Sequence, residues 1–203
     1  HSNKFTRMKH LLLSLILATS PTLTAGETGW TNPIIPQRAD PHITLHKDGY
    51  YYFTATAPEY DRIELRRAKS LGDLSTAKAE VVWKKHEKGP MSHHIWAPEI
   101  HFLNGKWYIY FAAGRAEAIW DIRMYVLENA SPDPLEGKWE EKGQMKMNWE
   151  SFTLDGHTFA HKGSRYFVWA QSVPNVPGTS VFIAKMDTPW SITGKQVKIT
   201  SPD

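Results

Sequence analysis

Residues 39–56 read Ala-Asp-Pro-His-Ile-Thr-Leu-His-Lys-Asp-Gly-Tyr-Tyr-Tyr-Phe-Thr-Ala-Thr, and this stretch decides the fold class. Apolar and polar residues alternate over 42–46, which predicts a half-buried β-strand. Asp48-Gly49 predicts a two-residue turn, because these residue types accept positive φ. The aromatic run 50–53 predicts a second strand that is covered on both faces. The stretch is therefore a predicted β-hairpin with one carboxylate, Asp40, at its head.

The same unit occurs twice more along the chain. Residues 97–113 begin Ala-Pro-Glu, and residues 155–170 begin Asp-Gly-His. The turn glycines Gly49, Gly105 and Gly163 are 56 and then 58 residues apart. A repeat of this length is typical of β-propeller blades. We therefore expect an all-β propeller fold in which three acids converge at one end of the central axis, namely Asp40, Glu99 and Asp155.

The repeat also divides the chain into segments. Three blades are predicted at about 30–85, 93–145 and 151–203, which together make one partial propeller domain over 26–203. Each blade has further strand patterns after its hairpin. The third strands are predicted at 61–68, 122–127 and 180–184, and the outer strands at 81–83, from 138 onward and at 197–199.

The first 25 residues have the pattern of a secretory signal peptide rather than of a folded segment. A short basic start at 8–10 is followed by an apolar run over 11–18 and by small residues over 22–25. The apolar run is too short to cross a membrane as a helix. We therefore expect a secreted, extracellular or periplasmic protein that has no membrane association after cleavage.

Charge and cysteine content exclude several classes of function. Residues 1–25 hold three of the 24 basic residues and no acid, which leaves 21 basic against 21 acidic residues. A balanced chain of this kind gives no case for a nucleic-acid partner. The chain has no cysteine, which excludes disulfides, thiolate metal sites and cysteine nucleophiles.

Three motifs in this order resemble the family 43 glycoside hydrolases: Ala39-Asp40-Pro41, Trp96-Ala97-Pro98-Glu99 and Asp155-Gly156. The resemblance runs from about Asn32 to the end of the chain. It implies a five-bladed β-propeller fold and an O-glycosyl hydrolase. Residues 50–55 and 58–63 look most like the exo-acting α-L-arabinofuranosidases of that family. The resemblance thus implies an arabinose-containing oligosaccharide or polysaccharide as substrate.

The resemblance also implies roles for individual residues. The general base falls on Asp40, and the residue that tunes the pKa of the general acid falls on Asp155. The acid itself is a glutamate of the fourth blade, and this sequence has no matching motif. Five blades would need roughly 285 residues, so we expect a C-terminally truncated fragment that is inactive by itself.

Other candidates near these acids have two interpretations each. Trp96 is expected to stack on a sugar or to pack between blades, and Glu99 to contact substrate or to be structural. His42 and His157 are expected to bind substrate hydroxyls or to satisfy the backbone. Asp40 and Asp155 could also simply cap turns.

We expect no cofactor and no metal site. The pair His93-His94 has no third ligand at a usable spacing, and any axial histidine ligand of the family belongs to its missing part. The alternative to a glycosidase is a non-catalytic carbohydrate-binding propeller. A protein-interaction propeller would leave the axial acids without a purpose.

Overall fold

The computed structural model describes residues 31–202, which form twelve β-strands and one short 3-10 helix. The predicted signal peptide, residues 1–25, lies outside the described residues. Within residues 31–202 no helix has the length and apolar character that a membrane crossing needs.

The strands form three four-stranded antiparallel sheets, and each sheet pairs its strands in chain order. The first sheet contains β1 (Ala39–Leu45), β2 (Tyr51–Thr56), β3 (Arg62–Ala68) and β4 (Glu80–Lys84), with the 3-10 helix Gly72–Ser75 before β4. The second contains β5 (Pro90–Leu103), β6 (Lys106–Arg115), β7 (Ala118–Asn129) and β8 (Glu140–Gln144). The third contains β9 (Thr153–His161), β10 (Ser164–Gln171), β11 (Ser180–Thr188) and β12 (Ser191–Thr200). These sheets are about three blades of a propeller, which confirms the predicted fold class.

Apolar clusters join the blades face to face, because each blade has large side chains on both of its faces. The cluster between the first two blades includes Tyr52, Ile63 and Leu65 from one side and Trp107 and Phe111 from the other. The cluster between the second and third blades is built on Tyr110, Phe167, Trp169 and Phe182. A third cluster, around Ile35, Phe53 and Leu74, covers the outer face of the first blade.

The first hairpin differs from the predicted two-residue turn. β1 ends at Leu45 and β2 begins at Tyr51, so a wider loop connects them. The Asp48 carboxylate accepts hydrogen bonds from the backbone N–H of Tyr50 at 2.9 Å and from the hydroxyl of Tyr52 at 2.7 Å. These bonds stabilise the wider loop, with only Gly49 at positive φ. The predicted burial of the following strand is confirmed, since Tyr52 and Phe53 are both buried although they face opposite sides.

Candidate active site

Each of the three inner strands, β1, β5 and β9, has the same β-bulge. At each bulge, two positions that are three residues apart on the inner strand pair with positions that are only two residues apart on the neighbouring strand. The flanking pairs are Ala39–Thr56 and His42–Thr54 in the first blade, Trp96–Ala112 and Glu99–Tyr110 in the second, and Leu154–Ala170 and His157–Val168 in the third. Because a bulge bends the strand and redirects side chains, the three blades aim equivalent positions at the axis in the same way.

The extra residue of each bulge has a left-handed backbone. Its φ is 50° at Asp40, 44° at Ala97 and 54° at Asp155. Side-chain-bearing residues rarely adopt such angles, although aspartate tolerates them better than alanine does. Strained backbone of this kind clusters at functional sites. The repeated strain therefore marks these three positions as a candidate active site.

The bulges correct the position that the sequence analysis gave to Glu99. The second-blade equivalent of Asp40 and Asp155 is Ala97, which has no carboxylate. Glu99 lies two residues further along and is equivalent to His42 and His157. The turn glycines agree with this alignment of the second and third blades, because Ala97 and Asp155 each lie eight residues before the glycine of their hairpin, whereas Glu99 lies only six residues before Gly105. Two acids, Asp40 and Asp155, therefore occupy the bulge position, and Glu99 lies two residues further along its strand.

The acids nevertheless line one cavity. Asp40, Glu99 and Asp155 border a cavity of about 230 Å³ together with His42. A second cavity of about 210 Å³ shares Asp40 and Asp155 and extends outward toward Tyr60 and Trp96. Both aspartates are exposed to solvent.

The aspartates are close enough to interact electrostatically. Although Asp155 is exposed at the cavity, the surrounding protein partly desolvates its carboxyl and raises its pKa, and the negative charges of Asp40 and then Glu99 raise this pKa further. A nearby negative charge makes ionisation of a carboxyl group less favourable, as it does here for Asp155. In this arrangement one carboxylate can accept a proton, and the negative charge of a neighbouring carboxylate can change the electrostatic potential around it.

A relay of two hydrogen bonds orients Asp40 from the neighbouring blade. The Ala97 N–H donates to Thr56 Oγ1 at 2.8 Å, and the Thr56 hydroxyl donates to Asp40 Oδ2 at 2.8 Å. Thr56 is the last residue of β2 and is only 3% exposed. Thr56 belongs to none of the sequence motifs that predict the site. Its place opposite Ala39 in the hairpin was the signal that could have found it.

Beside the aspartates, Glu99 contacts the imidazole rings of three histidines. Its Oε2 accepts hydrogen bonds from His157 Nδ1 at 2.6 Å and His101 Nε2 at 3.0 Å, and it lies 3.8 Å from His42 Nε2. Burial alone would raise the pKa of Glu99, but the hydrogen bonds from His101 and His157 lower it to about 2. Glu99 is therefore a permanent anion at neutral pH.

The three histidines respond differently to this anion. Burial lowers the pKa of His42 to about 4, and the Ile100 N–H donates to its Nδ1 at 3.3 Å, which fits a neutral ring. Burial also lowers the pKa of His101. The hydrogen bond to Glu99 raises the pKa of His157. Positive charge near Glu99 is therefore most stable on His157.

This cluster is a group of potential metal ligands that sequence analysis missed. One ligand atom from each of His42, Glu99, His101 and His157 lies within 4.8 Å of the others. Imidazoles with one carboxylate suit zinc or a similar transition metal better than calcium, which prefers oxygen ligands. The hydrogen bonds to Glu99 already satisfy two of the rings, so the cluster is also stable as a purely polar network. His101 could have been found from its i+2 spacing to Glu99 on one strand face.

Of the remaining residues that the sequence singled out, Trp96 lines the second cavity. Trp96 stacks on His94 with ring centroids 4.4 Å apart, and it also packs against the cluster between the second and third blades. Packing of Trp96 between blades thus has a structural basis, and its stacking on a sugar stays a prediction. His93 and His94 contact each other edge to face at 4.1 Å. Neither belongs to the group of potential ligands around Glu99.

Comparison with known proteins identifies relatives of the chain. The profile of the family described as "Glycosyl hydrolases family 43" matches residues 30–203. An extracellular exo-alpha-(1->5)-L-arabinofuranosidase from Streptomyces chartreusis is 55% identical over 175 residues, which are 86% of this chain and 53% of that protein. A protein of the same name from Streptomyces avermitilis is 54% identical over 90% of this chain and 37% of its own length.

A solved structure agrees with both the sequence match and the fold. The crystal structure of an alpha-L-arabinofuranosidase from Lactobacillus brevis superimposes with a TM-score of 0.82 and 43% identity. The superposition covers 86% of this chain and 57% of that one. The chain therefore spans only about a third to a little over half of the length of these relatives.

Proposed function

Because the chain belongs to glycosyl hydrolase family 43, we propose that its three blades supply the base side of a glycosidase active site. The proposed reaction is inverting hydrolysis of α-L-arabinofuranosyl linkages in arabinose-containing oligosaccharides and polysaccharides. The names of the Streptomyces relatives support this substrate class. They also support an extracellular location, to which the predicted signal peptide would direct the protein.

The observation that carries the proposal is the repeated bulge that presents Asp40 and Asp155 at one cavity. In our proposal Asp40 is the general base that accepts a proton from the attacking water. The Thr56 hydroxyl fixes one of its oxygens, which leaves the other free for the water. Asp155 acts through its charge, because a nearby carboxylate raises the pKa of an acid.

An inverting site also needs a carboxylic acid across the sugar, roughly 6.5–9.5 Å from the base. We propose that this acid comes from a fourth blade and that a fifth blade closes the ring. The complete site would then lie on the axis, with its base from the first blade and its acid opposite. Residues 31–202 without that acid are expected to be inactive on natural glycosides.

The test uses a five-bladed protein, in which residues 31–202 are joined to the part of the Streptomyces chartreusis relative that lies outside the matched region and that we expect to supply the remaining blades. Asp40→Asn is the informative variant, because asparagine tolerates the left-handed backbone but cannot accept the proton. We expect the turnover of an aryl α-L-arabinofuranoside to fall about 10²–10⁴-fold. Asp155→Asn should lower turnover less and shift the acidic limb of the pH profile.

Asp187→Asn is the matched control, because Asp187 is an exposed carboxylate near the end of β11, at the opposite end of the third blade. It should leave turnover unchanged. An Asp40→Asn protein with near-normal turnover would refute the assignment of the base. A five-bladed protein that binds arabino-oligosaccharides without cleaving them would instead favour a non-catalytic carbohydrate-binding propeller.

A further inference from the structure

The hairpin between β6 and β7 projects an exposed aromatic surface beside the cavities. β6 ends at Arg115 and β7 begins at Ala118, so the hairpin extends past the buried part of the sheet. Trp120 is 64% exposed, and Tyr60, on the neighbouring blade, is 43% exposed. Single exposed apolar residues are ordinary, but a group of them at the edge of a cleft indicates a binding surface.

Four rings form one continuous surface, which we call the aromatic platform: Tyr60, His94, Trp96 and Trp120. Trp120 lies 5.1 Å from His94 and 6.2 Å from Trp96 between ring centroids. Tyr60 meets the edge of Trp96 at 5.9 Å. Two members, Tyr60 and Trp96, also line the cavity that contains Asp40 and Asp155. The platform is thus a continuation of the candidate active site away from the axis.

Hydrogen bonds hold the hairpin in place. His94 Nδ1 donates to the Ile119 carbonyl at 3.0 Å. The Gly89 N–H donates to the Glu117 carboxylate at 2.9 Å, and the Ala116 N–H donates to Ser92 Oγ at 2.7 Å. Because these bonds tie the tip and the start of β7 to Gly89 and to the first residues of β5, Trp120 is presented in a fixed position. A preformed surface loses less conformational entropy when it binds a ligand.

The hairpin belongs to the second blade, which packs against the first and the third blades through the two apolar clusters described above. An exposed indole has a flat apolar face and a polar N–H, which suits the C–H face and the hydroxyls of a sugar ring.

We infer that Trp120, with Tyr60, binds the sugar units of the substrate beyond the arabinofuranosyl residue that is cleaved. The expected ligand is an α-1,5-linked arabino-oligosaccharide. This inference rests on the proposed function, since it names the part of the substrate that the same site recognises. Trp120 would determine the preference for oligosaccharides over small glycosides.

The test compares an aryl α-L-arabinofuranoside, which has no further sugar, with α-1,5-arabinotriose in the five-bladed protein. Trp120→Ala should lower the ratio of kcat/KM for arabinotriose to kcat/KM for the aryl glycoside about tenfold, as for a binding hot spot. Trp120→Phe should restore much of the ratio. Val81→Ala, which truncates an exposed apolar residue on the outer strand β4, should leave it unchanged.

Binding gives a second readout that does not need turnover. In an Asp40→Asn background, calorimetry should show about tenfold weaker binding of arabinotriose when Trp120→Ala is added. Unchanged ratios and unchanged binding in Trp120→Ala would overturn the inference, even if both substrates are hydrolysed. Absence of hydrolysis of both substrates in the unsubstituted protein would instead refute the proposed function, whatever Trp120 contributes to binding.

Discussion

Replacing Thr56 by valine tests whether the relay from Ala97 to Asp40 positions the proposed base. Valine has nearly the same shape, so the change removes the hydroxyl and leaves packing intact. Two hydrogen bonds of 2.8 Å are lost, one to a carboxylate and one from the Ala97 N–H. Water can replace the hydrogen bond to the exposed Asp40. It reaches the Ala97 N–H poorly, because this group points at the side chain of Thr56, which is only 3% exposed.

The stability cost follows from this asymmetry. An unsatisfied buried donor costs about 1–3 kcal/mol, and we expect Thr56→Val to destabilise the five-bladed protein by that amount. Asp40 should lose its fixed orientation, and a base that is misplaced by about 1 Å can cost up to ~10²-fold in rate. We therefore expect kcat for an aryl arabinofuranoside to fall roughly 10- to 100-fold. Thr56→Ser keeps the hydroxyl and should retain most of the activity.

Thr54 offers a matched control on the same strand. It is completely buried, and its Oγ1 has no hydrogen-bond partner in the described part of the chain. Thr54→Val should therefore leave kcat unchanged and should not destabilise the fold. Urea denaturation and steady-state kinetics measure both effects. Equal losses of kcat in Thr54→Val and Thr56→Val, or no loss in either, would refute the positioning role.

Two further predictions concern the packing and charge that support the site. Gly156→Ala should destabilise by about 1–3 kcal/mol and lower kcat, because the added Cβ would lie 2.3 Å from Phe167 Cζ in the core. Gly163→Ala, with nothing within 4 Å, should cost only ~1 kcal/mol of backbone strain and spare kcat; equal losses would contradict this. Glu128 accepts hydrogen bonds from Lys106 and Tyr108, which lower its pKa although burial opposes this. Its stabilisation is therefore present above pH 4.5 and is lost as pH falls through the lowered pKa. Glu128→Gln should accordingly destabilise at pH 7, and the difference should shrink as the pH falls below 4.5; a pH-independent difference in the urea midpoint would contradict the assignment.

The sequence could predict the blades because their signals are local. Alternation, turn glycines and the aromatic run at 50–53 each act within a few residues. The repeat of about 57 residues then predicts how such units stack. It could not predict the length of the β6–β7 hairpin, whose third strand was expected at 122–127 but begins at Ala118. Its extension depends on hydrogen bonds to β5, which is distant in sequence.

The candidate site was predictable only in part. Asp40 and Asp155 carry recognisable motifs, but their equivalence depends on three bulges that strand pairing alone reveals. The same bulges moved Glu99 out of the head position. The cluster around Glu99 joins His42, His101 and His157 from three blades, so it becomes recognisable only when the repeats are aligned by their bulges.

In the proposed reaction, Asp40 activates water on the face opposite the leaving group. NMR can follow the anomeric configuration of the first arabinose that the five-bladed protein releases, before mutarotation. We expect that an α-L-arabinofuranoside first yields the β-anomer, and that Asp40→Asn yields almost no product. First release of the α-anomer would contradict it, because retention requires a carboxylate nucleophile only about 5–5.5 Å from the acid rather than a base that activates water.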